Sequence, residues 1–371
     1  MKKSFSLIFI ILLIAPVALW LAGHMRGNGD NTVRQGFPQP EAALWLDREY
    51  YQAVEGWFQE SLPVANHLKI LNNWLNYHLF AATSTPAVNI GIHGWLYPGN
   101  IGAARLTPKV ARNKGYRLFL DLHAVEKIIS AAGRRFLFTV VPGKEAIYPE
   151  YLGSGGTATQ ITSYQALLDA NRLHPLAGFI ELEPALKKAK LGGIDVYRKR
   201  SLQWSCEGAA AAAEAILSDK ALTQTASVSH VPANCPPPDN DLYRTLLGEA
   251  VPPKAPLTGH TSGPHAVEGP SVVVYGDDYL TYLLPFITHA FNGIEIFDSS
   301  REPTFGHNIM AADSDMIVLE SSATGIERLH LDLESLYAAA GPQQMQGVVK
   351  REISLEEATA ISQCALGRCV S

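Results

Sequence analysis

Several side chains in this sequence stand where chemistry is commonly done. Lys144 follows the apolar run Phe136 to Val141 across Pro142-Gly143. An ammonium there either binds an anionic sugar or phosphate, or sits as a surface lysine on a strand-to-helix loop. Trp204 and Tyr148 offer flat faces that can stack on a pyranose ring, although core packing is the stronger reading of both. Asp277 and Asp278 adjoin after a second apolar run, and neighbouring carboxylates raise the cost of ionising each other. Asp121-Leu122-His123 sets an acid two residues before an imidazole, but inside a helical stretch, where a surface pair is the better account. His93, His260 and His265 fall in loops. Ser321 and Ser322 follow a strand without a nameable acid–base partner.

The elements that must position these residues can be read from periodicity. Arg135–Val141, Gly178–Leu182, Ser271–Tyr275, Gly293–Phe297 and Asp315–Glu320 are short apolar runs that predict strands. Helical stretches separate them, including Ala185–Lys190 and the alanine-rich Glu207–Leu217. That alternation predicts an α/β fold with a mostly parallel sheet flanked by helices. In such sheets ligands gather outside the carboxyl ends of the strands. Three segments are expected there: 141–150, 201–209 and 275–279. Upstream, Trp57, Phe58, Leu62, Leu68, Leu71, Leu75 and Leu79 predict two amphipathic helices with a break at Pro63, their aromatics packed in a core. The stretch 230–270 is rich in Pro and Gly and reads as an ordered surface excursion.

The first residues set the expected compartment. Lys2 and Lys3 precede an almost unbroken apolar run from Phe5 to Ala22, and ~20 apolar residues span the hydrocarbon core as a helix. By the positive-inside bias the lysines stay cytoplasmic and the body is exported to the periplasm, anchored to the inner membrane. A cleaved signal is the alternative; Trp20 is bulky where a cleavage site wants a small residue, while Pro16 inside the run favours cleavage. Residues 24–40 form a linker. In an exported chain the even set Cys206, Cys235, Cys364 and Cys369 suggests disulfides. Local pairing joins Cys206 to Cys235 and Cys364 to Cys369, one of three connectivities. No CxxC or HxxxH spacing accompanies them, so no metal is expected. A net charge of -5 disfavours nucleic acid.

A series of motifs resembles one family. His93-Gly94-Trp95-Leu96-Tyr97 is similar to the "G-x-x-G-W-L-F/Y" of the alginate O-acetyltransferase group, the AlgX- and AlgJ-like SGNH hydrolase-like proteins. Pro142, Lys144, Ile147, Tyr148, Pro149 and Glu150 resemble that group's "P-x-K-x-x-I-Y-P". Glu183-Pro184-Ala185-Leu186 through Tyr197 lies where the group has "L-x-x-x-K … Y". Trp204, Glu207, Gly208 and Ala209 match "D-x-H-W-x-x-x-G-A" from its tryptophan onward. Gly276-Asp277 resembles the start of "G-D-S-[FY]", and Glu327-Arg328-Leu329 the late "E-R-[YF]-L". The resemblance covers residues 45–330, in order. It implies an SGNH-like domain over 41–335, a tail over 336–371 ending in a short helix, and ligand contacts at Gly276, Asp277, Lys144, Tyr148, Trp204 and Arg328.

In that family a serine attacks an acetyl donor, a histidine takes its proton and an aspartate orients the imidazole. This chain departs at all three positions. Ser201 stands for the aspartate, Gln203 for the histidine and Asp278 for the nucleophile. A glutamine amide cannot act as general base. Upstream, Glu60 to Ala65 lacks the family's histidine and arginine. The expectation is a non-catalytic, cofactor-free component of exopolysaccharide O-acetylation that binds polymer or a partner protein of the complex. The alternative is an active O-acetyltransferase with a relocated catalytic set.

Overall fold

A computed structural model describes residues 48–61, 63–99, 107–153, 162–218, 240–249, 251, 259–261, 269–299, 309, 313–327, 329 and 331. The expected anchor (5–22), linker (24–40) and tail (336–371) lie outside them, as do Arg328, Cys235, Cys364, Cys369 and His265. The chain divides into two compact units. One takes the residues up to Ala87 together with Tyr243–Val251; the other takes Val88–Leu242 and the residues from Pro252 on.

The first unit is helical. Helix α1 (Arg48–Ser61) and helix α2 (Pro63–Phe80) flank position 62, as expected from Pro63, whose missing N–H costs nothing in a first turn. On α2, Asn73 and Tyr77 are buried. Asn73 Nδ2 donates to Leu247 O at 2.9 Å, and the Tyr77 ring meets Tyr243 edge-on at 5.7 Å. The opposite face is apolar and open. Leu68 and Leu71 are about half exposed (52% and 51%), Leu79 is 65% exposed, and Trp74 and Leu75 are also open. This stripe is not core. Helical spacing identifies one apolar face, and here the face that turns inward is the one bearing Asn73 and Tyr77.

The second unit holds the sheet. In chain order its elements begin with a hairpin of β1 (Val88–Ile90) and β2 (Leu96–Pro98), then the long helix α3 (Pro108–Ala131). Strand β3 (Arg135–Val141) follows, with the one-turn helix α4 (Lys144–Ile147), helix α5 (Ser163–Leu173), β4 (Phe179–Glu181) and helix α6 (Glu183–Leu191). Next come α7 (Cys206–Leu217), then α8 (Asp241–Leu247), of which residues 243–247 belong to the first unit, and β5 (Gly259–Thr261), β6 (Ser271–Gly276), α9 (Leu280–Ile287), β7 (Gly293–Asp298) and β8 (Met316–Ser322). Side-chain caps open three of the helices: Thr107 accepts from Val110 N, Thr162 from Gln165 N and Ser205 from Gly208 N.

The six strands lie in the order β4-β3-β8-β6-β7-β5. All pairings are parallel except β5 with β7. The expected mostly parallel sheet is therefore present. The 230–270 stretch contributes α8 and the antiparallel edge strand β5, more structure than a surface excursion requires. Alternation along the strands divides two cores. Leu137, Val272, Val274, Met316 and Val318 face α7 and α9; Phe136, Phe138, Val273, Ile317 and Leu319 face α3 and α5. Because β8 inserts between β3 and β6, chain progress runs outward on both sides of it, to β4 and to β7. The carboxyl ends of β3, β8 and β6 thus form the reversal point where a crevice is expected.

One close approach fixes how α7 meets the chain before it. A Cβ on Gly208 would lie 2.2 Å from the carbonyl oxygen of Val196, a backbone atom with no room to retreat. Alanine gains up to ~1 kcal/mol of helix propensity over glycine, while overpacking against backbone costs roughly 1–3 kcal/mol, a net loss of up to about 2 kcal/mol. Gly208→Ala is expected to lower the urea unfolding midpoint; an unchanged or higher midpoint contradicts this packing.

Candidate functional site

The site is built upward from the end of β3. Pro142-Gly143 turns the chain into α4, and this turn places Lys144 inward, with 1% of its surface exposed. Its Nζ donates to four carbonyl oxygens: Arg198 at 2.7 Å, Leu96 at 2.8 Å, Lys199 at 3.0 Å and Ser201 at 3.1 Å. The rings of Trp95 and Tyr97 lie 4.8 and 5.5 Å from it. Burial pulls its pKa down from 10.5 to about 7, while Asp241 and Glu145 pull the other way. Both readings of Lys144 as an accessible group, ligand-binding or surface, are thereby corrected. Its donors are spent on backbone, and a buried ammonium with this many carbonyl acceptors is a structural clasp.

Tyrosines extend the clasp. Tyr97 Oη donates to Tyr148 O at 2.7 Å, Tyr148 Oη accepts from Val196 N at 2.9 Å, and Tyr197 Oη donates to Pro142 O at 2.5 Å. The hairpin β1–β2, the 142–148 turn and the 196–201 loop are consequently one hydrogen-bonded body. Tyr148 is 3% exposed and Trp204 is fully buried in the core, so neither offers a face to a sugar. The core-packing reading holds for both.

The 201–204 segment sits on this body. Ser201 is fully buried; its Oγ accepts from Gln203 N at 3.1 Å. Gln203 is 2% exposed and its Oε1 has no partner among the described residues. Between them, Leu202 N donates to Asp241 Oδ1 at 2.8 Å, and Leu202 O accepts from Tyr279 Oη at 2.9 Å. The Trp204 and Tyr279 rings meet edge-on at 5.1 Å. Tyr279 thus draws the segment bearing Asp278 against the one bearing Ser201 and Gln203, as the alignment of motifs requires. Cys206, at the start of α7, is disulfide-bonded; its expected partner, Cys235, lies outside the described residues.

Beyond Tyr279 the ends of β6 and β8 are joined by carboxyl groups. Asp277 Oδ2 accepts from Ser322 N at 2.8 Å and its Oδ1 from Tyr279 N at 3.1 Å. Asp277 N donates in turn to Glu320 Oε2 at 2.9 Å. Glu320 is fully buried, with Oε1 unpartnered among the described residues. Burial, then the charge of Asp277, pushes its carboxyl well above the ordinary value of 4.5, with Asp278 adding to the rise. Glu320 is therefore held neutral. Gly276 must be glycine here, because a Cβ would lie 2.4 Å from Glu320 Oε2 and 2.7 Å from Leu280 Cδ1. The sequence reading did not single out Glu320. Its signal was a lone carboxylate closing the apolar run Met316–Leu319 at a strand's carboxyl end.

Chemically the arrangement is a set of acids and amides around a spent lysine. Asp277 caps backbone N–H groups, Gln203 has no basic lone pair, and Asp278 is half-buried at the expected nucleophile position. His93 stands in the turn before β2 at φ 54°, edge-on to Tyr151, and His123 lies on α3 against Phe119. Among the described residues there is no group of three or more His, Cys, Asp or Glu placed to hold a metal ion.

Comparison with known proteins agrees with the motifs. Residues 88–234 match the family model described as SGNH hydrolase-like domain, acetyltransferase AlgX. A curated relative, named probable alginate O-acetylase AlgJ of Pseudomonas fluorescens, is 26% identical over 212 residues. That match covers 56% of this chain and 49% of the relative, so the chain spans about half the relative's length. Among solved structures, the O-acetyltransferase domain of Pseudomonas putida AlgJ is 15% identical, covering 76% of this chain and 99% of that one at TM-score 0.43. Pseudomonas aeruginosa AlgX is 12% identical, covering 63% and 61% at TM-score 0.34. The chain is thus similar to AlgX and AlgJ, and the family-model match over residues 88–234 is to an SGNH hydrolase-like domain.

Two outcomes test the site's construction. Lys144→Met removes a donor from four carbonyls while keeping the length of the side chain. Lys199 O and Arg198 O still accept from Leu96 N and Ser201 N, and each buried acceptor left bare costs about 1 kcal/mol or more. A loss of roughly 2 kcal/mol or more in unfolding free energy is expected by urea titration. For Glu320 the sign follows from linkage. Its folded pKa lies above its unfolded value, so the folded state holds the extra proton, and stability is greatest below about pH 4.5 and falls as pH rises. Glu320→Gln, neutral and similar in size, should remove up to one proton's worth of slope, about 1.4 kcal/mol per pH unit. Urea unfolding of both proteins between about pH 5 and 7, below most of the Lys144 transition, reads the difference. Parallel slopes contradict the buried neutral acid.

Proposed function

We propose that this AlgX/AlgJ-like chain is an exported component of an alginate-like exopolysaccharide O-acetylation machinery, held at the inner membrane by residues 5–22, and that it serves there without catalysing acyl transfer. One observation carries the non-catalytic part. The position of the family's general base is Gln203, buried, with its backbone N–H bound to Ser201 Oγ. An amide accepts no proton near neutral pH, so a hydroxyl beside it is not activated. The relatives' names supply the biological setting: an alginate O-acetylase and an acetyltransferase domain are what this chain is similar to. The retained scaffold supports a binding role, toward polymer or toward an acetyltransferase partner, at the strand ends of the old cleft.

Polymer and partner protein are not separated by charge. Asp241, Asp277 and Asp278 lie beside the 201–204 and 276–279 segments, and Arg198, Lys199 and Arg200 lead directly into Ser201, with Lys199 exposed.

The test is the purified full chain with an activated acetyl ester. Hydrolysis no faster than the uncatalysed background is expected; turnover that disappears in Asp278→Ala overturns the non-catalytic reading. A gain-of-function variant tests the alignment. Ser201→Asp, Gln203→His and Asp278→Ser together should restore measurable esterase activity, because Tyr279 already holds the two segments against each other. A folded triple variant with no activity contradicts the assignment of these positions.

A further inference from the structure

Helix α2 is amphipathic in an unusual sense, because its apolar face is the open one. At 100° per residue, Leu68, Leu71, Trp74, Leu75, His78 and Leu79 fall within an arc of roughly 140°. Five of these are large apolar residues exposed by more than a third of their surface. The buried side carries Asn73 and Tyr77, held by Leu247 and Tyr243. A stripe of this breadth on one element marks an interaction surface.

We propose that this face of α2 lies on the surface of the membrane that anchors the chain, its apolar residues set into the outer headgroup–acyl boundary. Four features favour a lipid surface. First, α2 contains no Asp or Glu, so anionic headgroups do not repel it; its charges are Lys69 and whatever His67 and His78 carry. Second, Trp74 sits at the rim of the arc, where an indole places its ring in the acyl region and its N–H among headgroups. Third, only 25 residues separate Ala22 from Arg48, which as a flexible tether reach roughly 25–30 Å. The anchor would keep α2 at high effective concentration beside the bilayer, so a weakly binding helix suffices. Fourth, the arc is wider than the two-position seam of a helix pair, and α2 carries no acidic residue to pair with Lys69 of a second copy and set a register. The helix lies on the membrane and does not cross it, since among the described residues no helix is long and apolar enough to span.

This inference rests on the anchor proposed for residues 5–22, and the test separates the two. The full chain is reconstituted into phosphatidylcholine–phosphatidylglycerol vesicles with a photoreactive phenylalanine analogue replacing Leu75. A second preparation carries it in place of Lys69, exposed off the arc. After irradiation, a lipid adduct is expected at position 75 and lost at position 69. A chain-to-chain or intrachain adduct at 75 in place of the lipid adduct overturns the proposal, and so does no adduct at all. Alkaline carbonate extraction reports on the anchor independently. A chain stripped from vesicles while still forming the lipid adduct at 75 sinks the anchor and leaves the α2 surface standing. A retained chain without that adduct does the reverse.

Discussion

The site hangs on one buried ammonium. Four carbonyl oxygens from two segments, Leu96 in β2 and Arg198, Lys199 and Ser201 in one loop, converge on Lys144 Nζ. Buried backbone acceptors must be paired. A residue placed by the Pro142-Gly143 turn reaches all of them, and Leu96 N adds a direct bond to Lys199 O at 3.0 Å. Together these hold the 198–201 loop against the hairpin, the floor on which Leu202, Trp204 and Tyr279 meet. Low dielectric strengthens these bonds and equally raises the cost of leaving them unmade.

This explains why the family's motifs can outlast its catalytic residues. "P-x-K-x-x-I-Y-P" resembles a ligand-binding signature when read as a string. In the structure Pro142 O accepts from Tyr197, Lys144 gathers the carbonyls, Ile147 is buried in the core and Tyr148 caps Val196 N–H. The tryptophan and glycine of the "W-x-x-x-G-A" string are likewise architectural, Trp204 filling the core and Gly208 clearing Val196 O. Substituting these costs stability whatever the chain does. Ser201, Gln203 and Asp278 sit among them without carrying that framework. Motif retention therefore reports the fold and is silent on the chemistry.

What could be read before the structure follows the same division. The five predicted strands and the helices between them were legible because a parallel strand buried on both faces is a continuous apolar run, and β3, β6 and β8 are such runs. That 201–209 and 275–279 share one end of the sheet was legible; the bond from Tyr279 Oη to Leu202 O that joins them was not. Three further features were hidden. A charged Lys144 reads as accessible because charge ordinarily means exposure, and only distant carbonyls allow its burial. No local pattern says that an acid such as Glu320, ending an apolar strand, will face Asp277. Nor does periodicity say which way the apolar face of α2 turns. Each miss concerns a long-range partner, which local spacing does not encode. The short hairpin β1–β2 was missed for a related reason: Val88–Ile90 and Leu96–Pro98 are three residues each, too short for alternation to register.

The modest negative charge of the chain gains meaning from where the acids sit. Net charge of -5 spread evenly over such a chain sets a weak field. Here Asp277 and Asp278 stand at the strand ends with Glu320 beneath them. Burial raises the Glu320 carboxyl first, and the charges of Asp277 and then Asp278 add to the rise. The charge at this end of the sheet is nevertheless not of one sign, since Arg198, Lys199 and Arg200 lead directly into Ser201. The sign that matters at a site is the local one, and net charge does not report it.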